Sequence, residues 1–221
     1  MKKKMDIIYE DKELLVINKP HKLLTIGTET EKYRTLYHEA SEYLKKQNPK
    51  NKVFIVHRLD KDTSGVVVFA KNEKTKDLLQ KNWDTAAICR EYTAIVEGKM
   101  PKKQDQIVEY LKETKSLEVI ATGNINDKKA ITNYEVVKEF GPFSLLKIKI
   151  ETGRKNQIRV ALSNLNHPII GDKKYGSSKN PLGRLGLHAS KLILKHPTSK
   201  KEFCWIAKTP KDFDSMIERT K

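Results

Sequence analysis

Cysteine is nearly absent from this chain: Cys89 and Cys204 are the only two in 221 residues. They lie far apart and fit no metal-ligand or redox spacing, which excludes a disulfide-stapled scaffold and a dithiol site. Both are read as reduced thiols in core or half-buried positions. Long apolar runs are also missing, with nothing near the roughly twenty residues that cross a bilayer. The basic start at Lys2, Lys3 and Lys4 leads into no apolar segment suited to a signal peptide. A cytoplasmic protein with no membrane partner is therefore expected. Glycine numbers only 10, and no glycine pattern of the phosphate-loop or dinucleotide kind occurs. The six histidines are scattered and no carboxylates cluster with them, so His188 and His196 are read as structural rather than as metal ligands. Internal repeats and low-complexity tracts are absent.

Acidic residues are in short supply as well. Against 44 Lys and Arg stand 28 Asp and Glu, a net charge of +16, with basic residues recurring from Lys2 to Lys221. This distribution suits a polyanionic partner, and composition alone fits a lysine-rich soluble protein equally well. If the surface neutralises about six to ten phosphates, affinity should fall on the order of a thousandfold or more between low and moderate salt. The hydrophobic fraction of 38% supplies an ordinary core for one large domain or two small ones.

Short apolar runs rich in β-branched residues occur at Leu14 to Ile17, Val53 to Val56, Val66 to Ala70, Tyr92 to Val96, Ile131 to Val137, Leu145 to Ile150 and Lys191 to Leu194. These are strand candidates. Helical spacing appears over Tyr33 to Gln47 and Glu73 to Trp83, with a third, short helix over Gln157 to Leu165. Polar loops are expected at Gln47 to Lys52, Lys99 to Asp105, Gly123 to Lys129 and Ser177 to Gly183. Strands outnumber helices and many are joined by short turns, which favours an α+β fold with a mixed, mostly antiparallel sheet. No loop marks a domain boundary, so a single domain over residues 1–221 is expected.

The segment richest in chemistry is His57-Arg58-Leu59-Asp60-Lys61-Asp62-Thr63-Ser64-Gly65, a polar loop between two apolar strands. Gly65 permits close backbone approach at its end. Asp60 and Asp62 are candidate acid, base or nucleophile, Arg58 a phosphate or base contact, and Ser64 a weaker nucleophile. Residue chemistry alone does not choose among them. On residue chemistry alone, an Asp60–Arg58 pair with Thr63 and Ser64 capping the loop is the favoured reading.

His57-Arg58-Leu59-Asp60 followed by Thr63-Ser64-Gly65 closely resembles the central motif of the RluA-like family of RNA pseudouridine synthases. Arg90-Glu91-Tyr92-Thr93-Ala94-Ile95-Val96-Glu97-Gly98 resembles that family's Tyr-x-Ala-x-Val-x-Gly strand. Gly153-Arg154-Lys155-Asn156-Gln157-Ile158-Arg159-Val160, then His167-Pro168-Ile169-Ile170-Gly171-Asp172 and Tyr175-Gly176, resemble its Gly-Arg-x-x-Gln-Ile-Arg-Val, His-Pro-Ile-x-Gly-Asp and Tyr-Gly segments. Asn18-Lys19-Pro20, Leu187-His188-Ala189 and His196-Pro197 extend the likeness, with the motif-bearing part over about residues 6–210.

The resemblance implies the pseudouridine synthase catalytic fold and an isomerase acting on specific uridines of ribosomal or transfer RNA. It makes Asp60 the catalytic carboxylate over Asp62, Tyr92 the residue stacked on the uracil, and Arg159 the cation that keeps Asp60 ionised and oriented. Arg58 inherits the role of evicting the target nucleotide. His57, Thr63, Arg154 and Lys19 are expected to face RNA. The rearrangement needs no redox partner, so neither metal nor organic cofactor is expected, and the chain is read as a monomer with no DNA partner. The family's amino-terminal RNA-binding module is not expected, because the strand motif begins within the first twenty residues.

Departures from the family pattern are Lys22 where glycine is usual, Lys155-Asn156 in place of Thr-His, and Ala161 where histidine often follows. They are expected to bear on substrate choice or loop shape. Two rivals make different demands. A chemically inert RNA-binding or ribosome-assembly protein would not require Asp60, Tyr92 and Arg159 together. A metal-dependent nuclease would use Asp60, Asp62 and His57.

Overall fold

The structure, a computed structural model, describes residues 5–220. In chain order its elements are β1 Ile7–Glu10, β2 Leu14–Lys19, α1 Leu36–Gln47, β3 Phe54–Ile55, β4 Ser64–Ala70, α2 Glu73–Lys81 and α3 Trp83–Ala86. There follow β5 Ala87–Glu97, β6 Gln104–Glu113, β7 Val119–Thr122, β8 Lys128–Phe140, β9 Phe143–Ile150 and α4 Gln157–Asn164. A single 3-10 turn at Lys173–Tyr175, β10 Leu187–Lys195, β11 Glu202–Ile206 and α5 Lys211–Arg219 complete it. The fold is α+β, in keeping with the excess of strands over helices in the sequence.

The chain divides into two compact units. One runs to Ile88 and includes Ala189–Lys208; the other is Cys89–His188 with the segment from Thr209 onward. The sequence alone points to one domain: two of the three divisions, at Ile88 and His188, fall within apolar strands, and the polar Lys208-Thr209-Pro210 at the third is too short to read as a linker.

In the first unit β2 pairs antiparallel with both β1 and β4, and β3 also pairs with β4. Residues 189–195 of β10 lie beside β4, and β11 pairs antiparallel with β10. All of β4 and nearly all of β2 are buried. Their sequences are accordingly unbroken apolar runs rather than alternating ones. Leu14, Val16, Val66, Val68, Leu79, Leu192, Leu194 and Trp205 form the core, each large aliphatic side chain contributing about 1.5–3 kcal/mol.

Helix α1 begins where Thr35, not Tyr33, caps it: the Thr35 hydroxyl accepts the His38 amide at 3.1 Å. Asn72 caps α2 by accepting the Thr75 amide at 2.8 Å. The expected helix to Trp83 ends at Lys81, and Trp83 opens the separate turn α3.

In the second unit the strand order is β5-β9-β8-β6-β7, every pairing antiparallel. One sheet face packs Ala94, Val96, Leu146 and Ile148 against Ile158 and Leu162 of α4. Phe213 and Met216 of α5 close a second cluster with Phe140, Phe143, Ile95 and Ile170. Cys89 is half-buried as expected, whereas Cys204 is exposed, because its position on β11 points away from the core that takes Trp205. Among the described residues no helix is long and apolar enough to cross a membrane.

Candidate active site

The loop before β4 is fixed in the first unit by contacts that sequence spacing does not reveal. Thr25, only 2% exposed, brackets Leu59: its hydroxyl accepts the Leu59 amide at 3.1 Å and donates to the Leu59 carbonyl at 2.7 Å. With Leu59 buried and pinned, its neighbours are displayed: Arg58 is exposed and Asp60 half-buried. The Asp60 carbonyl accepts the Thr63 amide at 3.2 Å, closing the turn into β4. At Gly65, φ is 119° and an added Cβ would collide with the backbone of Ala189, so this position must be glycine.

Two residues expected to face RNA, Lys19 and Thr63, instead build this scaffold, and His57 also packs against it. Lys19 is fully buried, and its ammonium donates to the carbonyls of Pro20 at 3.0 Å, Leu23 at 2.7 Å and Lys61 at 3.1 Å. A lysine has three donors, and these three acceptors match them, tying the segment after Asp60 to the turn after β2. Thr63 is 2% exposed. His57 accepts the Val68 amide on Nε2 at 3.0 Å and stacks on Trp83 with ring centroids 4.6 Å apart. The expectation of RNA contact is corrected for Lys19 and Thr63, because burial commits both side chains to the fold, whereas His57 is half-buried. Asp62 is exposed.

The second unit holds Tyr92, Arg154 and Arg159. Tyr92 lies half-buried on β5, paired with Ile148 of β9, at the margin of the core under α4. The turn into α4 is organised by Gln157, which is 3% exposed. Its Oε1 accepts the Thr152 hydroxyl at 2.8 Å and the Arg154 amide at 3.0 Å. Its Nε2 donates to the Ile131 carbonyl at 2.9 Å and to the Thr132 hydroxyl at 3.0 Å. Buried Arg90 donates to the Glu151 carbonyl on the other side of the same turn. Arg154 itself is exposed, and its Nε donates to the Lys129 carbonyl at 3.0 Å.

Arg159 is gripped by a carboxylate to which the sequence reading assigns no role. Its Nε and Nη2 donate to the two oxygens of Asp172 at 2.6 and 2.7 Å, and the guanidinium stands 4.9 Å from the Tyr175 ring centroid. Such two-point pairing fixes orientation as well as charge. Asn156 adds an acceptor to Arg159 Nη1 at 3.1 Å and a donor to the Tyr175 hydroxyl at 2.9 Å. Asn156 has a φ of 54°, a left-handed conformation that asparagine tolerates better than most residues.

Asp172 is held in turn. Gly171 has a φ of 76° and abuts the backbone of Arg184, which leaves no room for a side chain. Its amide donates to the Ser177 hydroxyl at 3.0 Å, and that hydroxyl donates to Glu97 at 2.7 Å. Burial pushes the Glu97 carboxyl up, but the Ser177 and Ser178 hydroxyls and the Lys179 and Ser178 amides outweigh it and hold the group below its usual value. Asp172 and Tyr175 stand three residues apart in the sequence, and that acid-to-aromatic spacing is the available signal. For Thr25, thirty-four residues from Leu59, there is none.

Comparison with known proteins agrees with this fold. The sequence model of a family described as RNA pseudouridylate synthase matches residues 13–164. Among relatives, the chain is 34% identical over 214 residues to the Uncharacterized RNA pseudouridine synthase YhcT of Bacillus subtilis, covering 96% of this chain and 71% of that protein. It is 32% identical over 234 residues to Ribosomal large subunit pseudouridine synthase D of Yersinia pestis, covering 98% and 71%. Among solved structures, Human RNA Pseudouridylate Synthase Domain Containing 4 superposes with a TM-score of 0.81 at 26% identity, covering 97% of this chain and 92% of that one. The chain belongs to the RNA pseudouridylate synthase family, and its class of chemistry is isomerisation.

Proposed function

We propose that the protein converts uridines of ribosomal RNA to pseudouridine, with Asp60 as its catalytic carboxylate. The observation that carries the reading is the Thr25–Leu59 clamp, which displays Arg58 and half-buried Asp60 from a rigid loop. Ribosomal RNA is favoured over transfer RNA by the large-subunit enzyme of Yersinia pestis, which matches nearly the whole chain.

In this reaction the N-glycosidic bond breaks, the uracil turns, a carbon–carbon bond forms at carbon 5, and the carbon 5 proton leaves. The stacked nucleotide must first be extruded, which costs a few kcal/mol in a helix and less in a loop. Arg58, exposed beside Asp60, offsets that loss. Asp60 then either attacks the ribose or takes its 2′ proton. Tyr92 and Arg159 serve the same step in keeping with the family resemblance. Arg159 is preorganised for it by Asp172 rather than waiting in solvent. The reaction is assigned to the cytoplasm and to a monomer without metal or cofactor.

The test maps pseudouridine in ribosomal and transfer RNA from cells with and without the protein. A site lost from large-subunit ribosomal RNA and restored by the wild-type chain is expected; loss confined to transfer RNA would overturn the substrate assignment. Arg58→Ala should reduce turnover more on a helical than on a loop substrate, and an equal reduction on both would count against the flipping role.

A further inference from the structure

The second unit carries a concentration of positive charge that, Arg154 aside, the site as described does not use. Segments 112–118, 128–129, 154–155 and 173–174 hold eight basic side chains against two acidic ones, Glu113 and Glu118. They come from the β6–β7 turn, the start of β8, the turn before α4 and the 3-10 turn.

The geometry draws these segments together. Lys155 Nζ lies 3.3 Å and Lys174 Nζ 3.4 Å from one acceptor, the Leu117 carbonyl. Leu117 has a φ of 62°, a conformation a leucine rarely adopts, so the turn presents this carbonyl at some strain. Two ammonium groups directed at one oxygen repel each other, and Lys155 also donates to Glu113. Glu113 is held below the usual carboxylate range by that hydrogen bond first and then by the charges of Lys155, Lys128 and Lys174 around it. One carboxylate thus faces three cations, leaving a surplus on an exposed surface.

This surface is continuous with the Arg159 grip. Tyr175 has Arg159 over its ring at 4.9 Å and Lys174 at 5.7 Å from its centroid, and its hydroxyl accepts from Asn156, the neighbour of Lys155. A row of cations therefore leads from Arg159 through Lys174 to Lys155. Lys155 stands where the family pattern described above has a neutral threonine.

Resting on the RNA-modifying function proposed above, we infer that Lys155 and Lys174, with Lys128 beside them, form a phosphate-binding patch for the RNA backbone that flanks the target uridine. A phosphate entering between the two ammonium groups replaces their repulsion with two charge-assisted contacts. The patch carries no base-reading geometry, so it sets affinity and register rather than sequence preference.

The test measures binding of a fluorescent single-stranded oligouridylate as a function of salt. The proteins compared are wild type, the Lys155→Gln/Lys174→Gln pair, and Lys45→Gln/Lys46→Gln as an equal charge loss on exposed α1. Loss of two phosphate contacts lowers the slope of log affinity against log salt by about 1.4, and the α1 pair leaves it unchanged. An unaltered slope in the Lys155/Lys174 pair, or an equal drop in the α1 pair, overturns the patch. Pseudouridine formation by the wild type on large-subunit ribosomal RNA is scored separately. If it fails while the slope still drops, the functional reading falls and the patch stands. If it succeeds with an unaltered slope, only the patch falls.

Discussion

Asp172 and Lys22 show how single positions carry the energetics around the loop and the arginine. The Asp172 side chain is 1% exposed and that of Arg159 13%, so the pair is largely withdrawn from water. Removing one member of such a pair strands the other. Asp172→Ala is expected to lower stability by about 3–5 kcal/mol, read as a shift in the urea midpoint, and a shift below about 1 kcal/mol would show that Arg159 finds another arrangement. Lys22 has a φ of 62°, which explains why the family favours glycine at this place. Lys22→Gly relieves that conformation and should raise stability by roughly 0.5–1 kcal/mol, measured in the same titration; no change or a loss would mean that the added freedom of the unfolded chain cancels the relief. Asp60 and Arg58 are legible in sequence as members of a spaced motif. The partner of Arg159 inside its own unit is not, because a salt bridge across thirteen residues leaves no periodic trace.

At the scale of elements, legibility tracks hydrophobic contrast. Strands β2, β4, β5, β8 and β9 lie where the sequence places them because their apolar runs are continuous or clearly alternating. Strands β6, β7 and β11 and helix α5 escape the sequence reading. Strand β6, Gln104–Glu113, buries only Leu111 fully and exposes Val108 among charged and amide side chains, so it offers too little hydrophobic contrast to be read as a strand. Strand β1 escapes for a related reason: its four residues are all half-buried. The turn that leaves β1 is anchored by Asp11. The Asp11 carboxyl accepts the Tyr9 hydroxyl at 2.7 Å, the amides of Glu13 and Leu14 at 2.7 Å each, and His196 Nε2 at 3.1 Å. This assigns His196 the structural part expected of it. Burial pushes Asp11 up, but these hydrogen bonds and the His196 ring outweigh it and hold the carboxyl below its ordinary value. A carboxylate lowered in the folded state contributes stability that is full above the unfolded value near 3.9 and disappears as pH falls through the folded value. Urea midpoints should therefore decline below about pH 4, and Asp11→Asn should both lower the neutral-pH midpoint and flatten that decline. An acid limb of unchanged steepness in the variant would remove Asp11 from the account.

For the molecule as a whole, the excess of basic over acidic residues points to a polyanion independently of the fold, and family membership gives that polyanion a chemical identity. The division into two units is not legible in the sequence, because two of its three boundaries, at Ile88 and His188, fall inside apolar strands rather than at polar linkers. Its consequence is that Asp60 and Arg58 are carried by one unit and Tyr92, Arg154 and Arg159 by the other. The functional account depends most on Asp60, whose loop is pinned through Leu59 by Thr25. The direct measurement is release of tritium from RNA labelled at uridine carbon 5, with chelator present, by wild type and by Asp60→Asn of equal urea midpoint. Wild type is predicted to release tritium in step with pseudouridine formation and the variant to release none. Release by Asp60→Asn at the wild-type rate would contradict the assignment of Asp60 as the catalytic carboxylate.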